Sequence, residues 1–232
     1  TGLDLPPLLF GGTLVPETTT ITLLGVKVDA KLTFSDHLRS VATRARQRLG
    51  VLNRAAHILT PAGRTTVYKA FVRPVMEYAP LVWMGAAQSH LQRLNNVQRR
   101  ALHAIGPGAH LPSLAIRRTV ASLACLYKLH YLPGPPQLLS VLPPRHIIST
   151  NPRTRSEHGA VSGHDHQLQH QLPASAPLAL KRSFPHCSIS DWNSLPAALL
   201  SQPPHSKRMQ SFKTNVYRHL RSTNWLWAVD SL

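Results

Sequence analysis

Acidic residues are scarce in this chain. Nine Asp and Glu stand against 26 Lys and Arg, for a formal charge of +17 over 232 residues. The acids are Asp4, Glu17, Asp29, Asp36, Glu77, Glu157, Asp165, Asp191 and Asp230, and no two are adjacent. Phosphoryl transfer by two metal ions needs carboxylates that hold both ions roughly 4 Å apart. The chain offers no such pair and no Tyr-x-Asp-Asp string, so no catalytic residue is expected. Cysteine is almost as rare: Cys125 and Cys187 are the only two. They cannot build a disulfide framework, which points to a reducing compartment. An intracellular setting follows as the expectation; the nucleus fits it, but the sequence does not name the compartment. No apolar run approaches the ~20 residues of a membrane span. No basic helix carries the bulky Trp/Phe/Leu face suited to lying in lipid, so no membrane partner is expected.

Other familiar sites are missing too. His158, His164, His166 and His170 fall in one short stretch, with Cys187 beyond. Structural zinc sites rely on closely spaced thiolates, and no Cys-x-x-Cys occurs, so no metal site is expected. Gly11-Gly12 and Gly106-Pro107-Gly108 lack the strand–loop–helix frame and the Lys of a phosphate loop. No cofactor is expected, and there is no internal repeat. Trp83 and Trp192 could stack bases, but their apolar and proline neighbours favour burial.

What is present is helical periodicity with arginine. Residues 1–30 read as β: Leu8-Leu9-Phe10 and Thr13-Leu14-Val15 flank Gly11-Gly12, a hairpin signal. Thr18 to Val28 reads as a further strand that Gly25 interrupts, at a bulge or a close backbone approach. Ser35 is the expected cap of a long helix whose stripe is Leu38, Ala42, Ala45, Leu49, Leu52, Ala56 and Leu59. At 100° per residue, Arg39 and Arg46 flank one side of that stripe, Arg44 and Arg48 the other, and Arg54 lies behind. Thr60-Pro61 restarts the helix. Val67, Phe71, Val75 and Tyr78 are expected on one face, and Pro74 should kink or end it. Ser89 is the expected cap of a third helix, with Leu91, Leu94, Val97, Ala101, Leu102 and Ile105 inward and Arg93, Arg99 and Arg100 outward. A fourth, after Pro112-Ser113, carries Ile116, Val120, Leu123 and Tyr127, with Arg117, Arg118 and Lys128 outside.

Composition changes at residue 133. Pro, Ser, His and Gln dominate to residue 183 with no period, which reads as a largely disordered linker. Order returns in 184–224, where Trp192, Leu195, Phe212, Val216 and Leu220 are expected to form one cluster; 225–232 is a tail. The expected fold is mainly α: a β-hairpin remnant (1–30), a helical thumb-like bundle (31–132), the linker, and a small Trp-anchored helical module.

Charge of one sign on helix faces favours a polyanionic partner. The candidate nucleic-acid-binding residues are Arg39, Arg44, Arg46, Arg48, Arg54, Arg99 and Arg100. Because one helix is not expected to present both flanks to the same groove, one arginine pair of the first helix should dominate.

Three strings add to this. Leu24-Gly25-Val26…Asp29…Leu32, the block from Ser35 to Ile105 with Glu77-Tyr78-Ala79 and Trp83, and Asp191-Trp192-Asn193-Ser194-Leu195-Pro196 followed by Ser211-Phe212-Lys213 occur in that order. In that order they resemble the post-catalytic, thumb and C-terminal part of reverse transcriptases of jockey-like non-LTR retrotransposons. The resemblance implies a primer-proximal strand at Leu24, Gly25 and Val26. It also implies an RNA template and DNA primer as partners, and a catalytic palm as the neighbour of these residues in a complete protein. Mg²⁺ would be expected only of that complete polymerase. The finger subdomain, the catalytic palm, the endonuclease and a Cys/His knuckle have no counterpart here. The chain opens at Thr1 inside a strand-like pattern, so a non-catalytic piece of a longer RNA-directed DNA polymerase is expected. Two rival readings stay open: a free-standing basic helical module that binds another protein, and a retroelement relic without selected function.

Overall fold

The first residues make tight hairpins because left-handed backbone falls where the turns need it. β1 (Leu9–Phe10) and β2 (Thr13–Leu14) pair antiparallel across Gly11 and Gly12, both at positive φ, as a two-residue turn of primed type demands. β3 (Thr20–Leu23) and β4 (Val26–Asp29) pair the same way, with Leu23 opposite Val26. The expected single strand is therefore two, and Gly25 sits in a turn, not a bulge. Leu24 (φ 47°) and Gly25 (φ 80°) are its central residues. Leucine seldom adopts this backbone, which hid the turn. In this computed structural model the described residues are 8–132, 136–139, 142–145, 166–169, 172–201 and 206–223.

Helix α1 (Ser35–Ala55) follows. Phe34 holds the N-cap place without a side-chain cap, so Ser35 is not the cap. The Asp29 carboxylate organises the approach instead. Its Oδ1 accepts from the Lys31 and Thr33 amides, and its Oδ2 from the Thr33 hydroxyl and, at 2.7 Å, the Phe34 amide. The slight burial of Asp29 raises its pKa, but these hydrogen bonds favour the ionised form and hold the carboxyl below its usual value.

A 3₁₀ turn (Ala56–Ile58) leads to α2 (Pro61–Val67), where Thr60 caps Gly63 N and Pro61 opens the first turn. The helix then widens into a π turn (Tyr68–Val72) before α3 (Arg73–Met76). Pro74 has no N–H for the carbonyl of Ala70, and widening absorbs the mismatch. The extra residue shifts the phase. Tyr68, Val72 and Met76 are buried, while Phe71 and Tyr78, expected inside, are exposed. α4 (Pro80–Trp83) and α5 (Gln88–Ile105) follow. α5 starts one residue before Ser89, with Ala87 at the cap and no side-chain bond. Its inner face is as expected except that Gln98 is buried and Leu102 is not fully so. The Gln98 amide donates to Pro112 O at 2.7 Å and accepts from Leu114 N at 3.1 Å, which fixes the entry to α6 (Leu114–Tyr131). Ser113 caps α6 through Ile116 N.

α6 carries the centre of the structure. Leu114 belongs to a first core with α1 and α5; Ile116, Leu123, Leu126 and Tyr127 belong to a second. The second core takes Trp192, Leu195 and Leu200 from α9 (Ile189–Asn193), α10 (Ala197–Leu200) and their junction. It takes Phe212, Val216 and Leu220 from α11 (Ser206–Ser222). Two shorter helices, α7 (Pro136–Leu139) and α8 (Leu178–Lys181), precede these in sequence. The expected Trp192 cluster exists and is larger than expected, because α6 supplies five of its fourteen buried residues. From the stretch read as a linker, Leu142 and Leu168 are buried in this core, and Arg145 bridges to Leu168.

α6 explains one more misplacement. Arg118, expected outside, is buried, with its guanidinium 5.9 Å from the centre of the Trp83 ring. A helix packed on two sides has little wet face. Burial pulls the Arg118 pKa down to about 10, against the opposing pull of Glu77. Trp83 is fully buried, and its indole donates to Tyr78 O; the Trp192 indole donates to His166 O. Both tryptophans are core. The described residues form a mainly helical protein with two small N-terminal hairpins. No helix among them is long and apolar enough to cross a membrane.

Candidate nucleic-acid interface

The β3–β4 hairpin lies against α1, and two contacts hold it there. The Lys27 amide donates to His37 Nδ1 at 3.3 Å, and the Tyr78 hydroxyl donates to Leu24 O at 2.7 Å. Val26 is buried between them and the core; Leu24 projects at the tip, 84 % exposed. Buried His37 is held below its usual pKa, first by desolvation, then by the Arg44 and Lys27 charges. It stays neutral and accepts from the strand.

Between hairpin and helix runs an open groove of about 690 Å³. Thr20, Thr22 and Lys27 line it from the hairpin; Asp36, Arg39, Ser40, Thr43, Arg44 and Gln47 line it from α1. Arg39 and Arg44, assigned to opposite flanks of the helix, thus meet in one groove. Ser40 and Thr43, between them in sequence, line the same groove. Arg39 also pairs with Asp36 at 3.3 Å, but both side chains are mostly exposed, where such a pair contributes little. A second, contiguous hollow is lined by Gly25, Arg44, Arg48, Pro74, Val75 and Tyr78. Arg44 faces both.

The other candidates separate. Arg48 donates to Phe71 O at 2.8 Å and lies over the Phe71 ring, so it fastens α1 to the π turn. Arg46 is exposed and its Nε donates to Ala42 O on its own helix. Arg54 sits exposed in the last turn of α1, where a cation suits the helix dipole. Arg99 lines a different groove, with Gln88, Gln92 and Asn95, and Arg100 is exposed. Lys27 was missed. Its signal was the alternation Thr20-Ile21-Thr22-Leu23, which sets Thr22 beside Lys27 across the strands once the turn is placed correctly.

No protein-family profile matches the chain, and no solved structure matches it. Curated proteins do. A probable RNA-directed DNA polymerase from transposon X-element of Drosophila melanogaster is 29 % identical over 103 residues, 43 % of this chain and 11 % of that protein. The chain is similar to RNA-directed DNA polymerases of non-LTR retrotransposons. The polymerase from mobile element jockey of Drosophila funebris is 31 % identical over 105 residues, 44 % of this chain and 12 % of its own length. For the jockey polymerase of Drosophila melanogaster the figures are 24 % over 179 residues, 70 % and 19 %. The chain therefore spans between a tenth and a fifth of the relatives it matches, and its origin is reverse-transcriptase-related.

Among the described residues no group of three or more His, Cys, Asp or Glu is placed to hold a metal ion. His166 is described, with Nδ1 2.6 Å from the Tyr131 hydroxyl. His158, His164 and His170 lie outside the described residues. Cys125 and Cys187 are free and half-buried, and burial raises both thiol pKa values, which makes them poor nucleophiles.

Proposed function

We propose that these residues form a non-catalytic, template–primer-gripping part of a non-LTR retrotransposon reverse transcriptase. The observation that carries this reading is the groove between β3–β4 and α1, where Lys27, Arg39 and Arg44 face one carboxylate, Asp36. Cations spaced along a groove bind a phosphodiester backbone without reading its sequence. Leu24 and Gly25 at the tip would lie beside the primer, as the resemblance implies; Val26, in the core, supports them from below. The chemistry of nucleotide addition would reside in the palm of a complete polymerase, which would also hold its Mg²⁺.

The test is a titration of a labelled RNA–DNA duplex at several salt concentrations. Wild type should bind near 10⁻⁴ to 10⁻⁶ M, to order of magnitude, with log affinity falling by about 0.9 per neutralised phosphate for each log unit of salt. Arg39→Glu with Arg44→Glu should lower both affinity and slope. Equal, salt-insensitive binding by both proteins would leave the protein-interaction reading in its place. Primer extension with Mg²⁺ or Mn²⁺ should give no incorporation above a protein-free blank.

A further inference from the structure

A second basic hollow lies away from the hairpin, between α6 and α11. It is about 390 Å³, at the small end of ligand-sized clefts, so it takes a nucleotide or two and not a duplex. Val120 and Ala121 line it together with Arg117, Gln210, Lys213, Thr214 and Tyr217. On α11 the positions 210, 214, 217 and 221 fall on one face by their spacing, which sets exposed Arg221 one turn beyond Tyr217 on the face that lines the hollow.

The electrostatics beneath favour an anion. Glu77 accepts from both Arg117 Nε and Arg117 Nη2, and lies 3.7 Å from Arg73. Buried Arg118 adds a third guanidinium, and its Nη1 has no partner among the described residues. One carboxylate thus pairs with two guanidiniums and acts on the third only through its charge, and among the described residues no carboxylate pairs with Lys213. A net positive centre lined by the half-buried Tyr217 ring, which also packs against the second core, suits a single strand: cations hold the phosphates and the ring takes a base.

We propose that the α6–α11 hollow binds single-stranded nucleic acid, with Arg117, Lys213 and Arg221 on the phosphates and Tyr217 against a base. This deepens the proposed function, because it gives the unpaired part of a template–primer its own seat. The two seats are separable by substitution.

The experiment measures binding of the full chain to a labelled oligouridine and to a blunt RNA–DNA duplex. The variants are Lys213→Glu with Arg221→Glu, and Arg39→Glu with Arg44→Glu. The α11 positions are half-buried and exposed, and melting curves verify folding of each variant. The α11 variant should lose tenfold or more in oligouridine affinity, with a salt slope shallower by about 1.4, two phosphates at 0.7 each on a single strand. Its duplex binding should stay near wild type. A 4-thiouridine oligomer should cross-link within the peptide that holds Tyr217. If the α11 variant binds oligouridine like wild type while the α1 variant loses duplex, the second seat is wrong and the groove at the hairpin stands. If oligouridine binding falls with the α11 variant but wild type ignores the duplex, the second seat stands and the proposed function of the hairpin groove fails. Should the α11 variant fail to fold, Lys213→Gln replaces it, with a loss of threefold or more expected and none overturning the proposal.

Discussion

His130 shows how a single group ties stability to pH. Its Nε2 is buried without a partner among the described residues, and its ring lies 5.9 Å from that of Trp192. Desolvation, then the charge of Arg145, pulls its pKa down to about 4 from an ordinary 6.5. The unfolded chain therefore takes up a proton below about pH 6.5 that the folded one refuses until near pH 4. By linkage, stability is complete above 6.5 and is lost as pH falls through that window. His37 adds to the loss in the same direction. The melting temperature should fall between pH 6.5 and 4, and His130→Gln should flatten part of the fall. An unchanged profile in the variant would contradict the assignment. Gly85 is the other telling residue. A Cβ there would sit 1.8 Å from the carbonyl oxygen of Arg182, a backbone atom that cannot swing aside. Gly85→Ala should cost about 3 kcal/mol or more, at or beyond the upper end for overpacking; chemical denaturation measures it. Nothing in the sequence around Gly85 announces this, since the close approach joins segments nearly a hundred residues apart.

At the scale of elements, legibility depended on whether local rules and packing agreed. α1 and α5 were legible because long stripes of leucine, valine and alanine leave one way to bury them. The Leu24–Gly25 turn was illegible because leucine occupies a left-handed position that favours Gly or Asn. That misfit is measurable. Leu24 is nearly fully exposed, so replacing it forfeits little packing. Leu24→Asn should raise stability by about 0.5–1 kcal/mol, part of the ~1–2 kcal/mol that left-handed backbone costs an ordinary residue; a midpoint shift in urea would show it. The helix from Pro61 to Met76 was half legible. Its cap was read correctly, and Val67 and Val75 pack against the core as expected, but with the π turn the fully buried positions are Tyr68, Val72 and Met76, and Phe71 is exposed. The displaced Phe71 then became the seat for Arg48. Of the seven candidate arginines, Arg39 and Arg44 line the hairpin groove, and the wheel of one helix could not reveal which, because the hairpin is a tertiary neighbour.

For the whole molecule, the decisive fact is that one helix serves two cores. Leu114 packs with α1 and α5, and Ile116, Leu123, Leu126 and Tyr127 pack with α9 to α11. Neither core is closed without α6. Removing residues 184–232 would bare the Tyr127 face, where the stacked Phe212 ring lies 4.1 Å away. A chain ending at residue 183 should melt well below the full chain, and the full chain should unfold in one transition by circular dichroism and by tryptophan fluorescence. Two separated transitions would show the cores to be independent. Proline-rich composition between residues 133 and 183 reads as a boundary in the sequence, whereas packing of α11 on α6 leaves no mark in either segment alone.

The double duty of α6 also bears on inheritance. Mobile elements leave copies that drift once selection is lifted. Ten of the eighteen residues of this helix are buried, so most substitutions there injure a core. Copies kept under selection should hold α6 nearly fixed while the hairpin tip and the rim of α11 vary. Copies released from selection should change in all three at one rate. Comparing substitution along α6 among genomic copies would therefore tell a working segment from a relic without any protein being made.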